Sequence, residues 1–163
     1  MAGAPAAFIR RKADRYARAA RAAGHTAPLN NVTVARYVYL ADSRKEAMDD
    51  LRPAITFELG FQTKRGLINL LKNNYGWKFE RDEASFDQLA EAGVYYLGDP
   101  DDVARQLQEF YEASGGFGTL LLVTGKDWAT REKRARSLKL FMEHVAPKLR
   151  HLDAVRVPDS AVA

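Results

Sequence analysis

The sequence predicts an α/β protein whose architecture is part of a (β/α)8 TIM-type barrel, with three or so parallel strands and outer helices. Apolar, β-branched segments alternate with capped amphipathic helices, which is typical of parallel strands joined by helical crossovers. A complete eight-unit barrel needs about 250 residues and rarely fewer than about 200. The chain has 163 residues, so the pattern indicates an α/β fold and the length indicates a partial barrel.

The first predicted element is an amphipathic helix over residues 5–23, which ends at Gly24. One of its faces is basic and carries Arg10, Arg11, Arg15, Arg18 and Arg21. Such a face can bind nucleic acid phosphates, but neither a recognition motif nor interleaved aromatic residues accompany it. The basic face is therefore interpreted as the solvated side of a peripheral helix, and no nucleic acid partner is expected.

The first predicted strand covers residues 32–41, VTVARYVYLA, and has almost no polar alternation. Continuous apolar strands of this kind are covered on both faces, as in parallel sheets. Ser43 and Glu46 then form the spacing of a capping box, which predicts that a helix begins after Ser43.

The segment from Leu51 to Phe86 is predicted to be irregular. Pro53 and Gly60 are expected to interrupt the helical pattern, so that short helices alternate with an excursion. Residues 73–76 read as a loop, and the surrounding segment, residues 72–77, is either a lid over a substrate or a plain covering loop. A short helix over residues 86–92 and a strand over residues 94–97 follow.

The clearest predicted helix start is the segment GDPDD at residues 98–102, because Asp99 can cap a helix that has proline at its first position. A strand is predicted over residues 119–125 and a final helix over residues 130–149. The apolar stripe expected on this last helix comprises Leu138, Phe141, Met142, Val145 and Leu149. Pro147 is expected to shorten or kink its last turn, and residues 151–163 to form a flexible tail.

The composition excludes several classes of function. The chain has no cysteine, which excludes disulfides, thiolate zinc sites and a cysteine nucleophile. His25, His144 and His151 have no metal-site spacing, and no hydrolase triad or phosphate-binding loop is present. Since no apolar run approaches about 18 residues and the N-terminus does not resemble a signal peptide, we expect a cytoplasmic protein without membrane contact. The net charge of +4 is spread through most of the chain.

Three segments together resemble luciferase-like, flavin-dependent monooxygenases. VARYVYLADSRKEAMDDLRPAI is similar to a late strand of that family and its following helix, and YYLGDPDDVARQLQEFYEASGGFGTLLLV matches its glycine-aspartate-proline helix start and its glycine-rich approach to the last strand. GKDWATREKRARSLKLFMEHVAPKL is similar to the closing helix of the family. The likeness covers roughly residues 5–150 and is nearest to the branch that oxidises aliphatic hydrocarbons and terpenes.

The resemblance implies that residues 1–150 are the C-terminal portion of a luciferase-like barrel domain. In that family, reduced FMN supplied by a partner flavin reductase activates oxygen, some relatives use a deazaflavin, and members are commonly homo-oligomers. The resemblance thus implies oxygenation of a small apolar organic substrate, by a chain that is incomplete alone because the early strands of the family have no counterpart here. A non-catalytic flavin-binding or structural barrel-fragment module is the alternative.

Three residues are candidates for cofactor binding. Active sites of such barrels lie at the carboxyl ends of the strands, where Lys126 is placed to meet a phosphate or flavin carbonyl and Trp128 to wall an aromatic ring. Arg36 shares a strand face with two valines, so its charge needs a partner, either a carboxylate or an anionic ligand. The simpler alternatives are an ion pair for Arg36 and helix-entry packing for Trp128. Asp42, Ser43 and Asp99 are interpreted as caps, and no catalytic residue is assigned.

Overall fold

The computed structural model describes residues 3–26, 31–77 and 85–152, and of residues 67, 68 and 70 only the backbone. Its centre is a parallel sheet of three strands: β1 (Thr33–Leu40), β2 (Tyr95–Gly98) and β3 (Thr119–Val123). The strand order is β2-β1-β3, and Tyr37 of β1 is aligned with Tyr95 on one side and Val123 on the other. The predicted α/β class with three parallel strands, consistent with a partial TIM-type barrel, is confirmed.

Seven α-helices surround this sheet in the described part of the chain. They are α1 (Ala6–Ala22), α2 (Arg44–Lys64), α3 (Leu67–Tyr75), α4 (Phe86–Glu91), α5 (Pro100–Ser114), α6 (Arg131–Leu140) and α7 (Ala146–Leu149). A single π-helical turn (Phe141–Val145) joins α6 to α7. The predicted caps are confirmed for two helices, because Ser43 accepts the amide of Glu46 and Asp99 accepts the amides of Asp101 and Asp102.

Helices cover the sheet on both of its faces. Tyr39 and Leu97 pack with α2 and α4 on one face, whereas Val38 and Tyr96 pack with α5 on the other. The physical reason is the strand order. The chain moves from β1 to β2 in one direction and from β2 past β1 to β3 in the other, so two right-handed crossovers place their helices on opposite faces.

The prediction that Pro53 and Gly60 interrupt the helix after β1 was wrong, because α2 runs unbroken for 21 residues. Both residues lie on its exposed side. The helix is held instead by a continuous buried stripe of Ala47, Leu51, Ile55 and Leu59. Tertiary packing of this stripe outweighs the local cost of a proline and a glycine.

The prediction of a loop at residues 73–76 was also wrong. Asn73, Asn74 and Tyr75 form the last turn of α3, and Gly76 ends the helix in a left-handed conformation with φ of 74°. Trp77 then turns back towards the N-terminus, where its indole Nε1 donates a hydrogen bond of 2.8 Å to the carbonyl oxygen of Gly3.

The last predicted helix forms, but its buried side differs from the expected stripe. Phe141 and Val145 are buried, whereas Leu138 and Met142 are exposed. The π-helical turn adds a residue to the helical repeat at this point and so changes the phase of the side chains. It also precedes Pro147, whose ring would otherwise clash with the carbonyl four residues earlier. The predicted flexible tail falls mainly at residues 153–163, outside the described residues.

No described residue range covers one face of β3. Thr119, Leu121 and Val123 align with residues of β1 that share the face of Tyr37, and Leu121 is 52% exposed. In the described part of the chain, this face of β3 is therefore an open apolar surface of the sheet. Among the described residues, no helix is both long and apolar enough to cross a membrane.

Candidate functional site

The loop after β3 folds inwards and buries Trp128, which is only 3% exposed. The indole lies directly over Gly125, where an added Cβ would come within 2.3 Å of its Cδ1 and Nε1 atoms. The next residue, Ala129, has a φ of 50°, a left-handed conformation that is strained for a residue with a Cβ. Arg134 stabilises the turn by donating hydrogen bonds to the carbonyl oxygens of Trp128 and Ala129 at 3.0 and 2.9 Å.

Trp128 completes a cluster of aromatic rings on the α2 side of the sheet. Its ring centroid lies 5.9 Å from that of Tyr37 and 6.0 Å from that of Tyr95, and the two tyrosines stack at 5.1 Å. Phe86 meets Tyr95 edge to face at 5.3 Å. Among the described residues, the buried indole Nε1 of Trp128 has no hydrogen-bond partner. A buried donor without a partner is uncommon in native proteins.

A cavity of about 110 Å³ lies beside this cluster, between the sheet, α2 and α3. Its polar lining comes from Tyr37, Tyr95, Glu58 and Gln62, and its apolar lining includes Leu59, Leu71, Leu89 and Val94. Burial, followed by the neighbouring Tyr37 and Glu58, raises the pKa of Tyr95 well above its ordinary value. Burial and then Glu58 also raise the pKa of Tyr37. Both phenols therefore remain protonated hydrogen-bond donors at neutral pH.

Sequence reasoning missed this cavity. Tyr37 and Tyr95 are 58 positions apart, and only the register of β1 with β2 places them side by side. A weak signal existed, since Glu58 and Gln62 are four residues apart on one helix and so share a face. Nothing local indicates which strand residues that face meets.

Of the other two predicted cofactor contacts, Lys126 lies in the same loop as Trp128, whereas Arg36 lies in β1. The Lys126 side chain is 92% exposed, and its ammonium is 4.0 Å from the carboxylate of Asp127. Arg36 precedes Tyr37 in β1, so its side chain points to the opposite face of the sheet. Of the three predicted residues, only Lys126 and Trp128 belong to one loop.

Arg36 is 1% exposed and is held by carbonyl groups and an aromatic ring. Its guanidinium carbon lies 3.7 Å from the ring centroid of Phe110, and its Nη2 atom donates a 2.7 Å hydrogen bond to the carbonyl oxygen of Ala4. Burial lowers the pKa of Arg36, and the hydroxyl of Tyr96 opposes that effect. The buried arginine thus ties the N-terminal segment to β1 and α5.

A polar network fixes α6 against the carboxyl end of β1. The Tyr39 hydroxyl donates a 2.8 Å hydrogen bond to Asp50, which also accepts one of 2.5 Å from Lys133. Burial and Asp50 raise the pKa of Tyr39 far above its ordinary range. Asp42, which was interpreted as a cap, instead pairs with Arg136 at 2.5 Å. These contacts hold the base of the Trp128 loop in place.

In the described ranges there is no group of three or more histidine, aspartate or glutamate side chains that could hold a metal ion. Two further depressions are open clefts. One, of about 430 Å³, is lined mainly by residues of α2 and α4. The other, of about 370 Å³, is lined mainly by residues of α5 and α7. Their linings include salt-bridged side chains such as Arg52 with Asp87 and Arg105 with Glu109. We therefore take the aromatic cluster, its cavity and the Trp128 loop as the candidate site.

Comparison with known proteins identifies relatives of this chain. The model of the luciferase-like monooxygenase family matches residues 1–116. The chain is 29% identical over 147 residues to 3,6-diketocamphane 1,6-monooxygenase of Pseudomonas putida, covering 86% of this chain and 38% of that protein. It is 34% identical over 134 residues to 4-hydroxyprotoasukamycin monooxygenase of Streptomyces nodosus subsp. asukaensis, covering 77% and 32%.

A solved structure gives the same likeness. The oxygenating constituent of the Pseudomonas putida 3,6-diketocamphane monooxygenase, a type II Baeyer-Villiger enzyme in complex with FMN, superposes with a TM-score of 0.72 and 26% sequence identity. The superposition covers 89% of this chain and 41% of that chain. The chain thus spans between about one third and two fifths of the length of these relatives.

Proposed function

This chain belongs to the luciferase-like monooxygenase family, and from that premise we propose that it takes part in oxygenating a small apolar organic substrate with reduced FMN. The observation that carries the proposal is the buried aromatic cluster around Trp128, at the carboxyl end of β3. Carboxyl ends of strands carry the active sites of barrel enzymes. The FMN-bound relative supports FMN as the cofactor, with a deazaflavin as the alternative.

The residues present fit one wall of a flavin site. The unpartnered indole N–H of Trp128 suits the carbonyl oxygens of an isoalloxazine ring, and the exposed Lys126 suits a phosphate or flavin carbonyl. The uncovered face of β3 offers a flat apolar surface for an aromatic ring. Flavins supply the redox chemistry of oxygen activation, while the protein supplies binding and orientation.

The chain itself contributes orientation and exclusion of water. Packing of Trp128 between Gly125 and the tyrosine pair fixes the direction of its N–H. Arg134 holds the backbone of that loop, and the Tyr39–Asp50–Lys133 network anchors the helix that follows. A preorganised donor in an apolar, water-poor setting is the form in which proteins stabilise developing charge most effectively.

The cofactor contact predicted for Arg36 remains a prediction. Its guanidinium is engaged with Ala4, Ala35 and Phe110 on the far side of the sheet from Trp128. That environment supports a structural role for Arg36. Lys126 and Trp128 are therefore the two cofactor contacts on which the proposed function depends.

The cavity beside Tyr95 measures about 110 Å³ and is too small for a flavin, because cofactor pockets span roughly 300–1,000 Å³. Since the chain also spans about two fifths of its relatives, we propose that further strands complete the site. A partner flavin reductase would deliver the reduced cofactor. A flavin-binding or structural module without catalysis is the second candidate, and the missing enclosure favours it.

An isotope experiment separates these two functions. The purified chain is mixed with a general flavin reductase, NADH, FMN and a panel of cyclic terpenes and ketones under ¹⁸O₂, and products are analysed by mass spectrometry. The oxygenase proposal predicts one ¹⁸O atom in a product, with less label for Trp128→Phe. If flavin binds but oxygen is reduced only to unbound peroxide, the non-catalytic module is the correct function.

We also propose that the chain self-associates through β3, in line with the expected homo-oligomer. In the sheet formed by the described residues, β3 is an edge strand without a charged residue, and Leu121 is half exposed. Such edges pair with other strands unless a charge blocks them. Sedimentation velocity should therefore show dimers or larger species for the native chain and mainly monomers for Leu121→Lys. Met142→Lys, on the exposed side of the π-helical turn, is the matched control, and a monomeric native chain contradicts this prediction.

A further inference from the structure

The cavity beside Tyr95 combines phenol side chains with an apolar lining. Tyr95 is only 6% exposed and lines the cavity together with Tyr37. A phenol hydroxyl can both donate and accept a hydrogen bond. A ligand in this space can therefore pair with a phenol as well as pack against the aliphatic lining.

The α2 part of the cavity lining carries an acceptor. Glu58 and Gln62 of α2 line the cavity, and the exposed Glu58 carboxylate acts electrostatically on both tyrosines. The remaining lining is aliphatic, from Leu59, Leu71, Leu89 and Val94. A ligand that fills this space needs a compact hydrocarbon body, one oxygen that accepts from a phenol, and one hydrogen that is donated to a carboxylate.

We propose that this cavity binds a small aliphatic alcohol, whose oxygen accepts a hydrogen bond from Tyr95 and whose hydroxyl hydrogen is donated to Glu58. The proposal rests on the oxygenase function only in making such an alcohol its substrate class. A ketone of equal size can accept from Tyr95 but places its lone pairs near the Glu58 carboxylate, and a hydrocarbon forms neither hydrogen bond. The affinity of the cavity should therefore decrease from the alcohol to the ketone to the hydrocarbon.

The test is a titration of the full chain without flavin, with cyclohexanol, cyclohexanone and methylcyclohexane as probes. Amide and methyl chemical shifts in ¹⁵N and ¹³C NMR spectra give the affinity, and the shifts should centre on Leu71, Leu89 and Val94. Ligands of about seven heavy atoms reach millimolar affinity at a typical contribution per atom. We expect cyclohexanol to bind about 2–10-fold more tightly than cyclohexanone, the worth of one net hydrogen bond.

Two variants assign the two contacts. Tyr95→Phe should weaken the binding of both cyclohexanol and cyclohexanone by about 2–10-fold, whereas Glu58→Ala should weaken the binding of cyclohexanol alone. Tyr16→Phe, which removes an exposed phenol from α1, should change neither. Equal affinities for the alcohol and the hydrocarbon, or unchanged binding by Tyr95→Phe, overturn the proposal. Because no flavin is present, that result leaves the oxygenase function to its own isotope test.

Discussion

Replacing Arg36 with alanine should lower the free energy of unfolding by about 3–5 kcal/mol, a large part of the roughly 5–15 kcal/mol that a domain has in total. The change removes the contact with the Phe110 ring and leaves a void between β1 and α5. It also leaves the carbonyl oxygens of Ala4 and Ala35 without their donor. Urea unfolding followed by circular dichroism measures the loss.

Two further variants make the Arg36 result specific. Arg36→Lys keeps the charge but loses the planar fork that spans two carbonyls, so we expect an intermediate loss. Arg18→Ala, on the exposed face of α1, should change stability by less than about 0.5 kcal/mol. A loss below about 1 kcal/mol for Arg36→Ala, combined with a marked fall in FMN affinity, would contradict the structural role and support the cofactor contact predicted for this residue.

Replacing Trp128 with alanine should cost about 3–5 kcal/mol, as is usual for a buried tryptophan. The indole is 3% exposed and fills the space between Gly125 and the tyrosine pair. Its loss should also free the loop that precedes α6, because the turn at Ala129 is strained and depends on the packing around it. Thermal unfolding together with hydrogen exchange of residues 124–130 detects both effects.

Trp128→Phe separates packing from hydrogen bonding at the same position. The phenyl ring retains most of the packing, and removing a donor that has no protein partner costs little, so stability should change by about 1 kcal/mol. Flavin affinity should nevertheless fall about 2–10-fold, since the N–H would be lost to the ligand. Trp77→Phe is the matched control and should leave flavin affinity unchanged. Equal flavin affinities of the native chain and of Trp128→Phe would contradict the proposed contact between the indole N–H and the flavin.

The elements that sequence reasoning located correctly are those set by short-range chemistry. Ser43 and Asp99 cap their helices through neighbouring amides, so residues within a few positions determine where these helices begin. β1 and β2 were recognisable because helices cover both faces of the sheet there, which removes polar alternation from their sequences. The family resemblance was recognisable for the same reason, since it depends on contiguous segments.

What sequence reasoning missed depends on contacts between distant residues. Pro53 does not break α2, because the stripe around Leu51 and Ile55 is buried against the sheet, and burial is invisible in a single segment. The position of β1 between β2 and β3 decides that Arg36 and Trp128 lie on opposite faces. The cavity beside Tyr95 likewise arises from strand register.

The measurement that tests the central claim most directly is a titration of the purified chain with oxidised FMN, followed by flavin fluorescence. If the Trp128 loop and the adjoining sheet face form one wall of a flavin site, binding should saturate at micromolar concentrations. It should also weaken in Trp128→Phe and in Lys126→Ala, but not in Trp77→Phe. Absence of binding up to millimolar FMN would contradict that claim and leave the chain as a member of the family without its cofactor site.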